Sequence, residues 1–249
     1  MEIKDQQKFW DEESNIKNYF DGYFADVINN RWIDMFTHVE SKTGISISGN
    51  ILEIGGGSQY LSRFLAKRND VNIICTDISE DRIKNANFYH QAVLPNLKTL
   101  GGVNAQKLPF EDAQFDFIIG DAVLHHIEDL RRGLYEINRC LKAGGQAIFI
   151  REPVLGMDIR FKRILKNILY PQKFVLQNIE FIKDNRFEFD RYLSQWEEEF
   201  LRSGFKSKNL TGWYFAKFKE RFKSSFPRLF TCHVSFHLQK FVDITTFEK

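Results

Sequence analysis

A doubly wound α/β sheet is the fold class this 249-residue sequence predicts, and three patterns predict it. An apolar strand, Ile51-Leu-Glu-Ile, runs into the turn Gly55-Gly-Gly57, and a second apolar strand ends on an acid at Asp77. Apolar strands and amphipathic helices then alternate as far as Pro153. The connections between these strands are long enough for helical crossovers, which parallel neighbours require. Two further segments alternate apolar and polar residues near the end of the chain, Phe205 to Leu210 and Thr231 to Leu238, and read as late strands forming a hairpin.

Taken in order, residues 5–20 and 22–41 carry apolar and aromatic side chains (Phe9, Trp10, Ile16, Tyr19, Phe20, Phe24, Trp32, Phe36) at spacings dominated by three and four, so two amphipathic helices are expected. Strands are expected near 50–54, 72–77, 98–103, 115–120 and 146–151, with helices near 59–68, 80–91 and 128–142. Ser79 is placed to cap the second of these helices, and Ala143-Gly-Gly145 to stop the third. Beyond Pro153 a basic helix is expected over 157–170, an irregular aromatic stretch over 171–189, and a helix from Phe189 to Ser203 with Trp196 and Phe200 on one side. The chain divides into an N-terminal helical cap (1–45), the α/β core (46–153), a helical and aromatic lid (154–204) and the C-terminal strands that complete the sheet (205–249), all in one domain.

The glycine turn points to a nucleoside-bearing ligand. Glycines let the backbone approach a ligand closely, and an acid closing the next strand accepts hydrogen bonds from ribose hydroxyls. A dinucleotide fingerprint needs a third glycine where Tyr60 stands, and the lysine of a phosphate-binding loop is missing. The site therefore suits a ribose-bearing ligand without a pyrophosphate.

Five segments in order carry a more specific likeness: Glu53-Ile-Gly-Gly-Gly, Asn104-Ala-Gln-Lys-Leu-Pro-Phe, Phe115-Asp-Phe-Ile-Ile-Gly-Asp-Ala-Val-Leu-His-His, Glu136-Ile-Asn-Arg-Cys-Leu-Lys-Ala-Gly-Gly and Ala147-Ile-Phe-Ile-Arg-Glu-Pro. Together they resemble the class I S-adenosylmethionine-dependent methyltransferases of the small-molecule type, closely over about residues 50–153. The resemblance implies a Rossmann-like, mostly parallel seven-stranded sheet and S-adenosyl-L-methionine as cofactor. By the same resemblance Glu53, Gly55, Gly56 and Gly57 hold its amino-acid end, and Asp77 the ribose. Ile78 and Leu108 pack on the adenine, which meets Asn104, Ala105 and Gln106. Gly120, Asp121 and Ala122 line the reaction centre. Asn104 departs from the family, where an Asp receives the adenine amino group; an Asn carbonyl accepts the same bond. Asp77 also has a simpler reading as a helix cap.

Methyl transfer needs alignment, dry surroundings and a deprotonated acceptor more than covalent help. His125 is the first candidate base, with local packing as its plain alternative. Glu152, at the end of the fifth strand, is the second; its alternative is a surface salt bridge. Tyr19, Phe20, His126 and Trp196 are candidate acceptor contacts, although aromatic residues serve more often as core. His125, His126, Glu128 and Asp129 lack a standard zinc spacing, so no metal is expected.

Composition sets the outer bounds. Hydrophobic residues at 43% and charged residues at 27% are ordinary for a globular core. The polar N-terminus, the absence of a long apolar run and three scattered cysteines lead to a cytoplasmic expectation. Residues 154–249 hold 18 Lys/Arg against 11 Asp/Glu, a local +7 beside an overall +2, so the first 153 residues carry −5. This basic third is either a solvated face or a surface for weak contact with anionic membranes. No nucleic-acid partner is expected. The partner implied is a small-molecule acceptor, with the lipid or quinone acceptor of a membrane surface and a SAM-binding protein without turnover as rivals.

Overall fold

The computed structural model describes residues 3–14, 31–90, 93–158, 161, 189, 191–210 and 232–242. Its elements in chain order are α1 (Ile3–Ser14), α2 (Arg31–Thr43), β1 (Gly49–Glu53), α3 (Tyr60–Leu65), β2 (Val71–Thr76), α4 (Glu80–His90), β3 (Leu97–Leu100) and β4 (Phe115–Asp121). A single 3-10 turn (Leu124–His126) follows, then α5 (Leu130–Cys140), β5 (Leu141–Leu155), β6 (Arg191–Tyr192), α6 (Leu193–Arg202), β7 (Phe205–Leu210) and β8 (Cys232–Lys240). Most of the expected lid, the ends of the two N-terminal helices that face each other in sequence, and residues 211–231 of the basic third lie outside the described residues.

The sheet runs β3-β2-β1-β4-β5-β8-β7, with the two-residue β6 beside the end of β5. Strands β1 to β5 are parallel where they pair. β8 is antiparallel to both β5 and β7, which makes the C-terminal hairpin that the alternating segments predict. Strand order reverses between β1 and β4, and the carboxyl ends flanking such a reversal are where an open α/β sheet leaves a crevice. The core forms two clusters. One gathers Leu134, Ile137, Trp196, Phe200 and Phe236 between the sheet and α5 and α6; the other gathers Val39, Ile47, Leu61 and Leu65 under α2 and α3. Cys75 and Cys140 are buried free thiols. No helix among the described residues is long and apolar enough to cross a membrane.

The end of α5 differs from expectation. The helix stops at Cys140, and Leu141 is already extended (φ −76°, ψ 137°) and paired with Phe115. Gly144, at φ +72°, serves an irregularity in β5 instead, between the Phe115–Leu141 and Phe117–Gln146 pairs. The stop comes from a distant side chain: Lys240, at the end of β8, donates its Nζ to the carbonyls of Asn138 (2.9 Å) and Leu141 (2.8 Å). A cation there satisfies carbonyls that the helix end leaves open. Lys240→Met is expected to lower the unfolding free energy in urea by about 1–3 kcal/mol, the range for orphaned buried carbonyls.

Candidate functional site

A cleft of about 310 Å³ opens at the carboxyl ends of β1, β2, β4 and β5, bordered by α1. Its floor is the turn after β1. Gly55 sits at φ +63°, and a Cβ there would lie 2.3 Å from Val123 Cγ2, so both conformation and space call for glycine. At Gly56 an added Cβ would lie 2.3 Å from the Cys75 sulfur. The Gly57 N–H donates to Asp77 Oδ2 at 2.8 Å, joining the two strand ends that the sequence motif pairs. A cradle so close to the backbone fits a ligand that needs main-chain approach.

Glu53 lies beneath this turn and is 2% exposed. Its Oε2 accepts from the Ser62 N–H (3.1 Å) and from the Ser62 hydroxyl. Burial pushes its carboxyl up to about 7, against the lowering effect of hydrogen bonds from Ser62 and Cys75. Asp77 closes β2, and its other oxygen accepts from the Ser79 N–H at 2.8 Å. Ser79 Oγ caps α4 as expected, accepting from the Arg82 N–H at 3.0 Å. Asp77 therefore shapes the turn, while each of its oxygens keeps a second lone-pair direction. Burial raises its carboxyl, and Arg82 opposes this.

One wall comes from α1. Ser79 Oγ donates to Asp11 Oδ1 at 2.5 Å, and Gln6 Nε2 donates to the His126 carbonyl at 2.6 Å. Between these anchors Trp10 meets the His126 ring edge-on (centroids 4.8 Å apart) and lies under the Arg82 guanidinium, 4.4 Å from the ring centroid. Gln6, Trp10, Tyr60, Arg82 and Arg151 all line the cleft and were not singled out as site residues from the sequence. The aromatic periodicity of the first helix flagged Trp10, but as core.

Most expected cofactor-site residues converge here. Glu53, Gly55, Gly56, Gly57, Asp77, Ile78, Asn104, Ala105, Gln106, Asp121 and Ala122 line the cleft. Asn104 Oδ1 already accepts the Gln106 N–H at 2.9 Å, so it closes a local turn and has one lone pair left for an amino group. Two expected residues lie outside its lining: Leu108, in the segment joining β3 to β4, is buried in the core cluster, and Gly120, within β4, packs against Val123 and Phe149.

The acid–base candidates separate. Asp121, at the end of β4, takes Arg151 side-on, with Nε at 2.6 Å from Oδ1 and the terminal nitrogen at 2.7 Å from Oδ2. Burial raises the Asp121 carboxyl to about 6 even so. Glu152 is fully buried and is not among the residues lining the cleft. Its Oε1 accepts the N–H groups of Val123 and Leu124 (both 2.9 Å), and its Oε2 accepts the His125 N–H (3.1 Å) and bonds His125 Nδ1 (2.7 Å). Burial alone would raise this carboxyl, but those hydrogen bonds hold it below the usual carboxylate range. Both sequence readings of Glu152, as second base and as surface salt bridge, are thereby corrected: it is a clamp on the 3-10 turn. His125 meets His126 ring to ring at a tilt of 44° (centroids 3.9 Å) and does not line the described cleft, whereas His126 does. Trp196 is fully buried, stacked near Phe200, with its indole N–H on the Pro153 carbonyl at 3.2 Å; it is core and not an acceptor contact. Tyr19 and Phe20 lie outside the described residues.

Comparison with known proteins agrees with this geometry. Residues 52–149 match the family model described as a methyltransferase domain. The chain is 28% identical over 144 residues to the mitochondrial arginine-hydroxylase NDUFAF5 of Mus musculus, covering 58% of this chain and 39% of that protein. It is 30% identical over 123 residues to the demethylmenaquinone methyltransferase of Chlorobaculum tepidum, covering 48% of each. The chain thus spans less than half the length of these relatives. Among solved structures, phosphoethanolamine N-methyltransferase 2 of Haemonchus contortus, in complex with S-adenosyl-L-methionine, superposes with a TM-score of 0.63 at 15% identity, covering 96% of this chain and 60% of that one.

Proposed function

We infer from the match of residues 52–149 to a methyltransferase domain, together with the cleft, that this chain transfers a methyl group from S-adenosyl-L-methionine to oxygen, nitrogen or carbon of a small, apolar or aromatic acceptor. The observation that carries this reading is one cleft at the carboxyl ends of the strands in which three acids, Glu53, Asp77 and Asp121, gather about the glycine turn. Asp77 borders the glycine turn, and Ile78 and Ala105 line the same cleft; in this reading Asp77 takes the ribose hydroxyls, and Glu53 and Asp121 take the ligand's cationic end. The bound cofactor supplies an electrophilic methyl group. The protein's own work is to hold the nucleoside, to place Trp10 and His126 across the opening, and to keep water from the acceptor.

Ligand-dependent melting tests the cofactor. S-adenosyl-L-methionine and S-adenosylhomocysteine should raise the melting temperature, and NAD should not; stabilisation by NAD alone would sink the reading. Asp77→Ala should weaken S-adenosylhomocysteine binding by about 1–3 kcal/mol, the cost of unpaired ribose hydroxyls. An unchanged dissociation constant would leave Asp77 as an architect of its turn only.

A second reading has a specific motive. The Chlorobaculum relative is named for a quinone substrate, so a quinone or lipid acceptor at a membrane surface stays in view, with the basic C-terminal third as its anchor and the cytoplasm as its location. Co-sedimentation with anionic vesicles at low and high salt separates the two: salt-sensitive pelleting favours the membrane acceptor, and a protein that stays in the supernatant favours a soluble one. Incubation with labelled S-adenosyl-L-methionine and a metabolite extract separates an enzyme from a binding partner without turnover.

A further inference from the structure

The two edges of the sheet are finished differently. On one side β7 exposes Lys206 and Lys208, with the Lys206 ammonium 5.5 Å from the Phe241 ring centroid. Lysines on an edge strand discourage pairing with another chain. On the other side stands β3, and among the described residues nothing pairs with its outer edge. Its surroundings are apolar. Asn87 Nδ2 donates to Thr99 Oγ1 at 3.1 Å, so the last turns of α4 lie along β3. The next residue of α4, Phe88, is 82% exposed. Val93, on the approach to β3, is 90% exposed, and Leu100, at its end, 42%. Large apolar side chains grouped around an open strand mark an interaction surface.

The backbone decides what this edge offers. The Asn96 and Leu100 carbonyls accept from the Ile73 and Asp77 N–H groups (2.8 and 3.2 Å), so the even-numbered positions face β2. Alternation turns the N–H and carbonyl of Thr99 outward, with the Leu97 carbonyl before it and the Gly101 N–H after it. The Leu97 N–H is already engaged by the Leu94 carbonyl at 3.0 Å.

We propose that a second copy of this chain covers the edge, its β3 antiparallel to this one about a two-fold axis at Thr99. A register centred there lets the two Thr99 residues exchange both main-chain bonds, and lets each Leu97 carbonyl take the partner's Gly101 N–H. It also sets Lys98 opposite the partner's Leu100, where the lysine stem covers the leucine and the ammonium reaches water. Moving the axis to Lys98 would set two lysines face to face and would need the engaged Leu97 N–H. Moving it the other way runs out of strand, because β3 ends at Leu100 and Gly102 turns at φ +72°. Charge and hydrogen bonding therefore select the same axis. The pairing lays the two α4 helices side by side and takes Phe88 out of water. An aromatic side chain buries about 150–250 Å², so Phe88 supplies about a fifth of the roughly 800 Å² that each partner gives in a stable interface. Val93, Leu100, the strand edge and the flank of α4 supply the rest. Both copies use the same edge, so assembly closes at two.

Sedimentation velocity of the whole chain tests this. Between about 1 and 100 μM the mass should rise from 29.4 kDa towards twice that value. Phe88→Asp and Thr99→Pro should each raise the dissociation constant at least about tenfold, with far-UV circular dichroism unchanged. Proline suits the single copy at position 99, since the N–H it removes points away from β2. Thr99→Cys should form an intermolecular disulfide under mild oxidation, because the Cα atoms of such a hydrogen-bonded pair lie about 5.5 Å apart. Lys98→Cys, diagonal to its counterpart, should link poorly, and the buried Cys75 and Cys140 of the wild type should not link. A chain that stays at 29.4 kDa at every concentration overturns the proposal and leaves the edge to a different protein. A dimer that either Phe88→Asp or Thr99→Pro leaves intact overturns it too. So does a dimer that links through Lys98→Cys in place of Thr99→Cys, or assembly beyond two copies.

Discussion

Glu152→Ala is expected to cost about 3–5 kcal/mol of folding stability, the range for breaking a buried, hydrogen-bonded charge pair. The carboxylate is fully buried and holds three consecutive main-chain N–H groups together with the His125 imidazole. Alanine removes the acceptor that all four share, beside the buried Leu124. Domains have about 5–15 kcal/mol in total, so urea unfolding should show a large loss, and the melting temperature should fall by roughly 6–20 °C. Glu152→Gln, which keeps one acceptor oxygen, should lose less. The pH dependence follows from the lowered carboxyl. A depressed folded-state value means that the contribution is complete above the unfolded value of about 4.3 and is lost as the pH falls below it through the folded one. The wild type should therefore lose stability on acidification more steeply than Glu152→Gln. An alanine variant within about 1 kcal/mol of wild type would show that water replaces the carboxylate and that the turn does not depend on it.

This residue also marks the boundary of what the sequence discloses. The glycine turn and Asp77 are readable because the motif is local and its chemistry restrictive: few side chains other than none at all fit Gly55 against Val123. The parallel, doubly wound sheet follows from alternation and crossover length, whereas the strand order comes from the structure. Glu152 was legible only as an acid at a strand end. Whether such an acid faces a ligand or the protein depends on how β5 lies against the segment after β4, a contact between residues 27 apart in sequence. The same holds for Lys240, whose helix-ending contact with Asn138 spans 102 positions. Trp10 and Trp196 show the limit most directly. Both are aromatics on amphipathic helices, and periodicity treats them alike. One caps the cleft against Arg82 and His126, and the other is sealed between Phe200 and Phe236. Only the docking of each helix on the sheet distinguishes them.

Glu53→Gln should make the protein more stable above neutral pH while weakening its hold on the cofactor. Glu53 is buried under the glycine turn, and burial lifts its carboxyl from the ordinary 4.5 to about 7. A raised folded-state value favours the protonated acid, so its stabilising contribution is fully present below about 4.5 and is lost as the pH climbs through about 7. Above that, the empty protein must bury a charge, at a cost of about 2–4 kcal/mol. Glutamine has nearly the same shape, accepts from Ser62 through its own oxygen and never ionises. Melting at about pH 8 should rise in the variant, whereas at about pH 5 the two proteins should nearly coincide. The cofactor reverses the preference. A ligand ammonium beside Glu53 favours the carboxylate, so wild-type protein near pH 6 should release a proton on binding S-adenosylhomocysteine, and Glu53→Gln should release less and bind more weakly. Calorimetry in buffers of different ionisation enthalpy measures that proton directly. If the variant binds as tightly as wild type and melts no higher at alkaline pH, Glu53 is neither a buried charge nor a ligand contact. If both shifts appear together, the cleft keeps an unfavourable acid because the bound ligand needs its charge, the usual compromise between stability and function at such a site.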